Sequence, residues 1–322
     1  MAVYTEVSDE ELGAFVGSYD IGELWSYKGI AEGVENTNYL IHTESGPYIL
    51  TLYEKRVRLQ DLPFFLDLMD HLASSGIKCP TPVRDREGKM LRSLAGRPAA
   101  IITFLEGLWM RRPRVEHCAE LGKHLAKFHL AGQGFKLKRE NNLSVAGWRS
   151  LFEECGERTN EIAVDLCREI DDELAFLEAN WPIDLAGGII HADLFPDNVF
   201  FLGQEISGLI DFYFACTDML AFDIAICLNA WCFEVDNSFN ITKARALLRA
   251  YAEERPLDDQ EFEMLPILAR GAAMRFLLTR VYDWLNPNGN ALVKPKDPTE
   301  YIRKLRFHIK VASSRDYGLE KR

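Results

Sequence analysis

Apolar and polar positions alternate along 38–43 and again along 47–53, with a polar, Gly-bearing turn at 44–46 between them. A period of two predicts paired β-strands. Before them, 19–30 reads as extended and leads into a turn over 28–33 that carries Gly29 and Gly33. Ser8 and Glu11 have capping-box spacing and predict a short helix ending near Val16. Leu62, Phe65, Leu66, Met69 and Leu72 recur at helical spacing over 60–74, and Gly76 closes that helix. Pro80 and Pro82 frame an extended piece. Gly88 and Gly96 mark turns, and 99–105 is a continuous apolar run that predicts a buried strand ending at Glu106–Gly107.

The pattern then changes period. Cys118, Leu121, Leu125 and Phe128 mark one face of a helix over 114–130, and a second helix is expected over 159–180. Three short apolar strands follow at 187–191, 199–202 and 206–212. Helices are expected near 217–233, 240–254, 259–285 and 298–312. A β-rich beginning followed by a mainly helical remainder predicts an α+β, bilobal chain, with a smaller lobe over 1–106 and a larger one over 107–322. The length of 322 residues suits two such lobes.

Composition narrows the function classes. Apolar residues make up 48% and charged residues 27%, which is ordinary for a globular protein. The formal charge is -12 with no basic stripe, which argues against nucleic acid as a partner. An acidic protein still binds an anionic nucleotide where backbone N–H groups and metal ions do the local work. Seven scattered cysteines without a C-x-x-C favour reduced thiols over zinc or a disulfide framework. The most apolar stretch, 220–233, is short and interrupted by Asp223 and Asn229, so a membrane span is not expected. The start of the chain lacks an apolar leader core, which makes the cytoplasm the expected location.

The most informative segment runs from Gly187 through Gly-Ile-Ile-His191-Ala-Asp193-Leu-Phe-Pro-Asp-Asn198-Val-Phe-Phe to Gly208-Leu-Ile-Asp211-Phe. Phosphoryl transfer to a hydroxyl needs a carboxylate beside that hydroxyl, oxygen ligands for Mg²⁺ and accurate positioning. Asp193 lies just after a buried strand, Asn198 begins the next strand, and Asp211 ends the one after that. A hairpin would bring Asn198 and Asp211 together. Turn formation alone accounts for Asp197, but not for the whole set.

His191-x-Asp193-x-x-x-x-Asn198 followed by Asp211-Phe212 resembles the catalytic loop and metal-binding Asp of protein kinases. The His-x-Asp form with a downstream Ile-Asp-Phe is closer to aminoglycoside phosphotransferases and choline kinases. The strings around 191–201, 272–283 and 62–72 look like the aminoglycoside-phosphotransferase-like form of homoserine kinase. Ala192 fits that form better than the Gly of the wider clan. The resemblance implies a protein-kinase-like fold and ATP-dependent phosphorylation of L-homoserine. It makes Asp193 the base, His191 a structural residue, and Asn198 and Asp211 the Mg²⁺ ligands. Other amino alcohols, choline or an aminoglycoside remain alternative acceptors, and a nucleotide-binding pseudokinase a more distant one.

On the nucleotide side, the resemblance places a phosphate-binding turn at 29–39, with Gly33, Asn36 and Asn38. Thr51 stands where the family's strand lysine is expected, which leaves Lys55 or Arg56 as the cation and Asp67 or Asp70 as its acidic partner. Adenine would meet the backbone of Phe104, Leu105 and Glu106. On the acceptor side, a carboxylate calls for an Arg fork. Arg275, in a largely apolar helix, is the first candidate, with a structural ion pair to Asp218 or Asp223 as its plain alternative. Asp283, Asn229 and Trp231 are further acceptor-site candidates.

Overall fold

A computed structural model describes residues 5–30, 36–54, 58–287 and 295–320. Gly33, Lys55 and Arg56 fall outside the described residues. The described residues form two compact units. One contains 5–107 together with Ser207–Tyr213. The other contains Leu108–Ile206 and the described residues from 214 onward.

The first unit is built on a five-stranded antiparallel sheet. It comprises helix α1 (Asp9–Val16), strands β1 (Leu24–Ile30), β2 (Thr37–Thr43) and β3 (Gly46–Leu52), helix α2 (Leu62–Ser74), and strands β4 (Arg92–Leu94) and β5 (Arg97–Thr103). The strand order is β1-β2-β3-β5-β4. The capping box is complete, with Ser8 and Glu11 bonding each other's backbone. Leu12, Phe15, Val16, Ile41, Leu50, Leu52 and Ile101 fill the core beneath the sheet. The final strand keeps the expected length but lies two residues earlier than the apolar run, at Arg97–Thr103 instead of 99–105. Pairing stops at Thr103, and Phe104 is 40% exposed.

The second unit contains strand β6 (Leu108–Trp109) and helices α3 (Val115–Gly132), α4 (Val145–Cys155) and α5 (Leu166–Asn180). Strands β7 (Gly187–Ile190), β8 (Val199–Leu202), β9 (Glu205–Leu209) and β10 (Cys216–Met219) follow, then α6 (Leu220–Trp231), α7 (Ile241–Glu254), α8 (Asp259–Leu285) and α9 (Thr299–Ile309). The last three residues of β9 count with the first unit.

Three departures from the sequence pattern have local causes. The expected helix over 159–180 is broken, because Asp165 sits at φ 60 and α5 starts only after it. The helix expected from 217 starts at Leu220, because 216–219 pair with β7 as strand β10. Helix α4 has no counterpart in the sequence reading. It buries only Trp148, Phe152 and Cys155, too sparse an apolar stripe to stand out. Helices α3 and α7 pack at close range through Gly122, where a Cβ would meet the Leu247 carbonyl oxygen at 2.1 Å. All seven cysteines are free, and no described helix is long and apolar enough to cross a membrane.

Candidate active site

Strand β7 delivers the chain into a loop at His191–Asn198 whose backbone is fixed at almost every residue. Asp223, in the first turn of α6 and fully buried, accepts the N–H of His191 at 2.7 Å and of Ala192 at 2.9 Å. Two successive donors on one carboxylate fold the chain tightly. Ala192 accordingly lies at φ 62, a left-handed conformation that an alanine rarely adopts. Arg275 from α8 donates Nη1 to the Ala192 carbonyl. Trp231 donates its indole N–H to the Leu194 carbonyl at 2.8 Å. The His191 ring accepts the Asp193 N–H through Nδ1 at 3.3 Å. A short helical turn at Pro196–Asn198 ends the loop.

Asp193 is therefore presented on a braced loop, half-buried. The Asn198 amide donates to the Asp193 carbonyl at 2.8 Å and to its carboxylate at 3.3 Å. That orientation turns the Asn198 carbonyl oxygen away from Asp193. Burial pushes the Asp193 carboxyl up to about 6, against the pull of Arg275, Lys296 and the Asn198 hydrogen bond and with a further push from Asp197. A carboxylate in that range is well matched to accepting a proton near neutral pH.

Asp223 is anchored in turn. Its own burial favours the neutral acid, but the hydrogen bond from His129 and the loop N–H donors hold it ionised, below the usual range. His129 is fully buried, and burial holds its ring below its ordinary pKa. A neutral ring that donates Nε2–H to Asp223 (3.2 Å) has Nδ1 left to accept the Tyr251 hydroxyl (2.7 Å). Arg255 donates to Tyr251 at 3.2 Å and to Glu261 at 2.8 Å. A polar chain thus runs from the loop through the α3–α7 contact to the start of α8. The sequence reading noted Asp223 as an interruption in an apolar run and as an alternative ion-pair partner of Arg275, not as the anchor of the loop, and missed His129 and Tyr251.

Asp211 and the strand candidates belong to the first unit. Asp211 lies at φ 64 just past β9. Tyr213, two residues on, packs edge-on against Tyr53 (5.7 Å) and Phe65 (5.6 Å), which fixes the chain beyond Asp211. Gly208 in β9 makes room for the Leu105 side chain. Asn36 accepts the Glu54 N–H at 3.2 Å, and Asn38 accepts the Thr51 hydroxyl at 2.8 Å. Thr51 is 2% exposed at the position where the resemblance expects a lysine. Asp70 pairs with Arg84 at 2.8 Å on the surface.

The acceptor-side candidates do not converge. Asn229 is fully buried, donating to the carbonyls of Ala225 (3.0 Å) and Ala269 (3.1 Å) and meeting the His308 ring at 3.2 Å. Trp231 is buried behind the loop that it braces, so both residues are placed in the scaffold rather than on an open face. Asp283 is exposed two turns of α8 beyond Arg275. Arg275 is buried, and among the described residues it pairs with neither Asp218 nor Asp223: Asp218 holds Asn141 at 2.6 Å and Asp223 holds His129. Its Nε has no hydrogen-bond partner. A cavity of about 520 Å³ lined by Arg149, Phe152 and Asp171, among others, shares no residue with the loop.

The braced His-x-Asp loop and the bilobal layout define a small-molecule kinase of the protein-kinase-like fold. The chain belongs to the phosphotransferase enzyme family, whose model matches residues 26–257. Two solved structures share the fold: an amicoumacin kinase in complex with AMP-PNP and Ca²⁺ (18% identity, TM-score 0.69, 94% of this chain and 93% of that one) and a choline kinase from Cryptosporidium parvum Iowa II (14%, 0.68, 94% and 95%). Within the family the chain groups with homoserine kinases. It is 65% identical to that of Rhodopseudomonas palustris (strain ATCC BAA-98 / CGA009), over 99% of this chain and 98% of the relative. It is 63% identical to that of Bradyrhizobium sp. (strain ORS 278), over 99% of both chains.

Proposed function

We infer that this protein transfers the γ-phosphoryl group of ATP to the side-chain hydroxyl of L-homoserine, giving O-phospho-L-homoserine and ADP. The acceptor follows from full-length likeness to homoserine kinases at 62–65% identity. The chemistry rests on one observation: Asp193 is held on a fully braced loop with its carboxyl pushed up to about 6. In this reading Asp193 accepts the hydroxyl proton as the oxygen attacks phosphorus. His191, Asp223, Trp231 and Arg275 keep the loop in shape while that happens.

Asn198 and Asp211 offer an amide and a carboxylate oxygen, the hard donors that Mg²⁺ prefers. With its amide nitrogen on Asp193, the Asn198 carbonyl oxygen is left for that use. Bound Mg²⁺ would neutralise phosphate charge. The backbone of Phe104–Glu106, just past the last strand-paired residue of β5, is proposed to meet adenine. Asn36 and Asn38 are proposed to support phosphate binding through their hydrogen bonds to Glu54 and Thr51.

The test is ATP-to-ADP turnover with Mg²⁺ against L-homoserine, D-homoserine, L-serine, choline and kanamycin. L-Homoserine is expected to be preferred by at least about tenfold in kcat/KM, the effect of roughly one well-placed contact. Turnover with choline or kanamycin alone would overturn the acceptor and leave the chemistry standing.

A further inference from the structure

An amino-acid acceptor presents a carboxylate that must meet a cation near Asp193. Four basic side chains of the second unit lie around the loop and its aromatic backing. Arg275 is 2% exposed and aimed at the Ala192 carbonyl. Arg280 donates to Glu300 at 2.6 Å and to the Asp297 carbonyl at 3.1 Å. Lys304 is buried and donates to the Asn229 carbonyl at 2.8 Å and to Glu300 at 2.5 Å. These three cations are engaged by the fold itself.

Lys296 differs from them. It is exposed, and among the described residues no carboxylate lies within ion-pair distance of it. Its Nζ sits 5.5 Å from the centre of the Phe195 ring, two residues from Asp193 on the same loop. A cation held over an aromatic face is positioned without being neutralised. The Phe195 ring is itself fixed, edge-on to Phe276 at 4.9 Å, and Phe276 lies 5.4 Å from Tyr301. The backbone around Lys296 is stiff. Pro295 and Pro298 flank the Lys296–Asp297 pair, and the Asp297 carbonyl is held by Arg280. The ammonium also lies near enough for its charge to act on Asp193.

We propose that Lys296 is the cation that receives the α-carboxylate of the acceptor, selecting an amino acid over an otherwise similar amine that lacks the charge. The proposal rests on the L-homoserine reading. In it, Arg275 shapes the loop and Lys296 recognises the substrate. A charge-assisted contact made equally in the ground and transition states changes KM more than kcat.

The experiment compares the full chain with Lys296→Met and Lys296→Arg, measuring KM for L-homoserine and ATP, kcat, and turnover of L-homoserine amide. Lys296→Met is expected to raise KM for L-homoserine about 10- to 100-fold, with KM for ATP within about twofold. Lys296→Arg should restore most of the loss, and the Met variant should lose the preference for the acid over the amide. An unchanged KM for L-homoserine overturns the proposal. So does a rise confined to the KM for ATP, which would assign Lys296 to phosphate. If the wild-type chain itself fails to phosphorylate L-homoserine, the functional reading fails first, and that result is separate from any behaviour of the variant.

Discussion

The loop at His191–Asn198 and the strand-end cluster at Asn36, Asn38, Thr51 and Glu54 use the same kinds of side chain to opposite ends. In the β-rich unit, short polar groups satisfy one another. Thr51 donates to Asn38, the Glu54 N–H donates to Asn36, and the Glu54 carboxylate takes the hydroxyls of Thr5 and Thr37 at 2.6 and 2.9 Å and pairs with Arg97 at 3.2 Å. In the helical unit, polar groups from α6 and α8 are directed at the loop backbone, and that arrangement presents Asp193 instead of tying it down. An Asp or Asn in sequence therefore says little alone. What decides its role is whether the fold directs its oxygens into local bonds or leaves them facing outward.

The largest effect that sharpens this contrast comes from Asp193→Asn. It keeps size and hydrogen bonding but removes the proton acceptor. We expect kcat to fall roughly 10²- to 10⁴-fold, the usual contribution of a general base, with a melting temperature near neutral pH no lower than the parent's, because the buried carboxylate that burial disfavours is gone. The wild type carries the same information in its pH profile. Asp193 works ionised and its carboxyl is raised to about 6, so kcat/KM should fall about tenfold per unit as pH drops below about 6 and level off above it. A profile flat down to pH 5 would remove Asp193 from the role of base.

Asp223→Ala comes next and acts on the scaffold. It leaves two buried N–H groups of the loop and the His129 ring without their shared acceptor. Breaking such a buried charged centre costs about 3–5 kcal/mol, which denaturant unfolding would register. Turnover should fall with it, because Ala192 would no longer be held at positive φ. A variant as stable and as active as the parent would show that the loop stands without its anchor.

Much of this was legible in the chain itself. The His191-x-Asp193 spacing, the alternating strands and the capping box at Ser8 are local signals, and local signals survive in a sequence. The anchor was not legible in the same way, because Asp223 lies 30 residues from Asp193 and only folding brings α6 beneath the loop. A signal did exist: a carboxylate within the apolar run of α6 is costly unless it is paired. Arg275 gave the same kind of signal and was noticed, but a buried cation can serve a backbone carbonyl as readily as a substrate. Lys296 gave none. It sits in an ordinary polar segment, and its placement over Phe195 depends on how α8 and α9 pack. Strand β10 was hidden for a similar reason, since Cys216–Met219 reads as the start of the helix that follows.

The smallest expected effect falls on the other side of the comparison. Thr51→Val preserves shape and removes the hydroxyl that donates to Asn38 at 2.8 Å. Thr51 is buried, so the Asn38 carbonyl oxygen would lose its donor without gaining free access to water. The same hydroxyl also hydrogen-bonds Tyr213, so the cost is about 1–3 kcal/mol of stability, that of one or two neutral hydrogen bonds. If Thr51 is purely structural, KM for ATP should move by no more than about twofold, the scale of a few tenths of a kcal/mol. A tenfold rise in KM for ATP at unchanged stability would mean that the hydroxyl touches nucleotide. The strand-end cluster would then be part of the active site, and its contrast with the loop would be one of position and not of role.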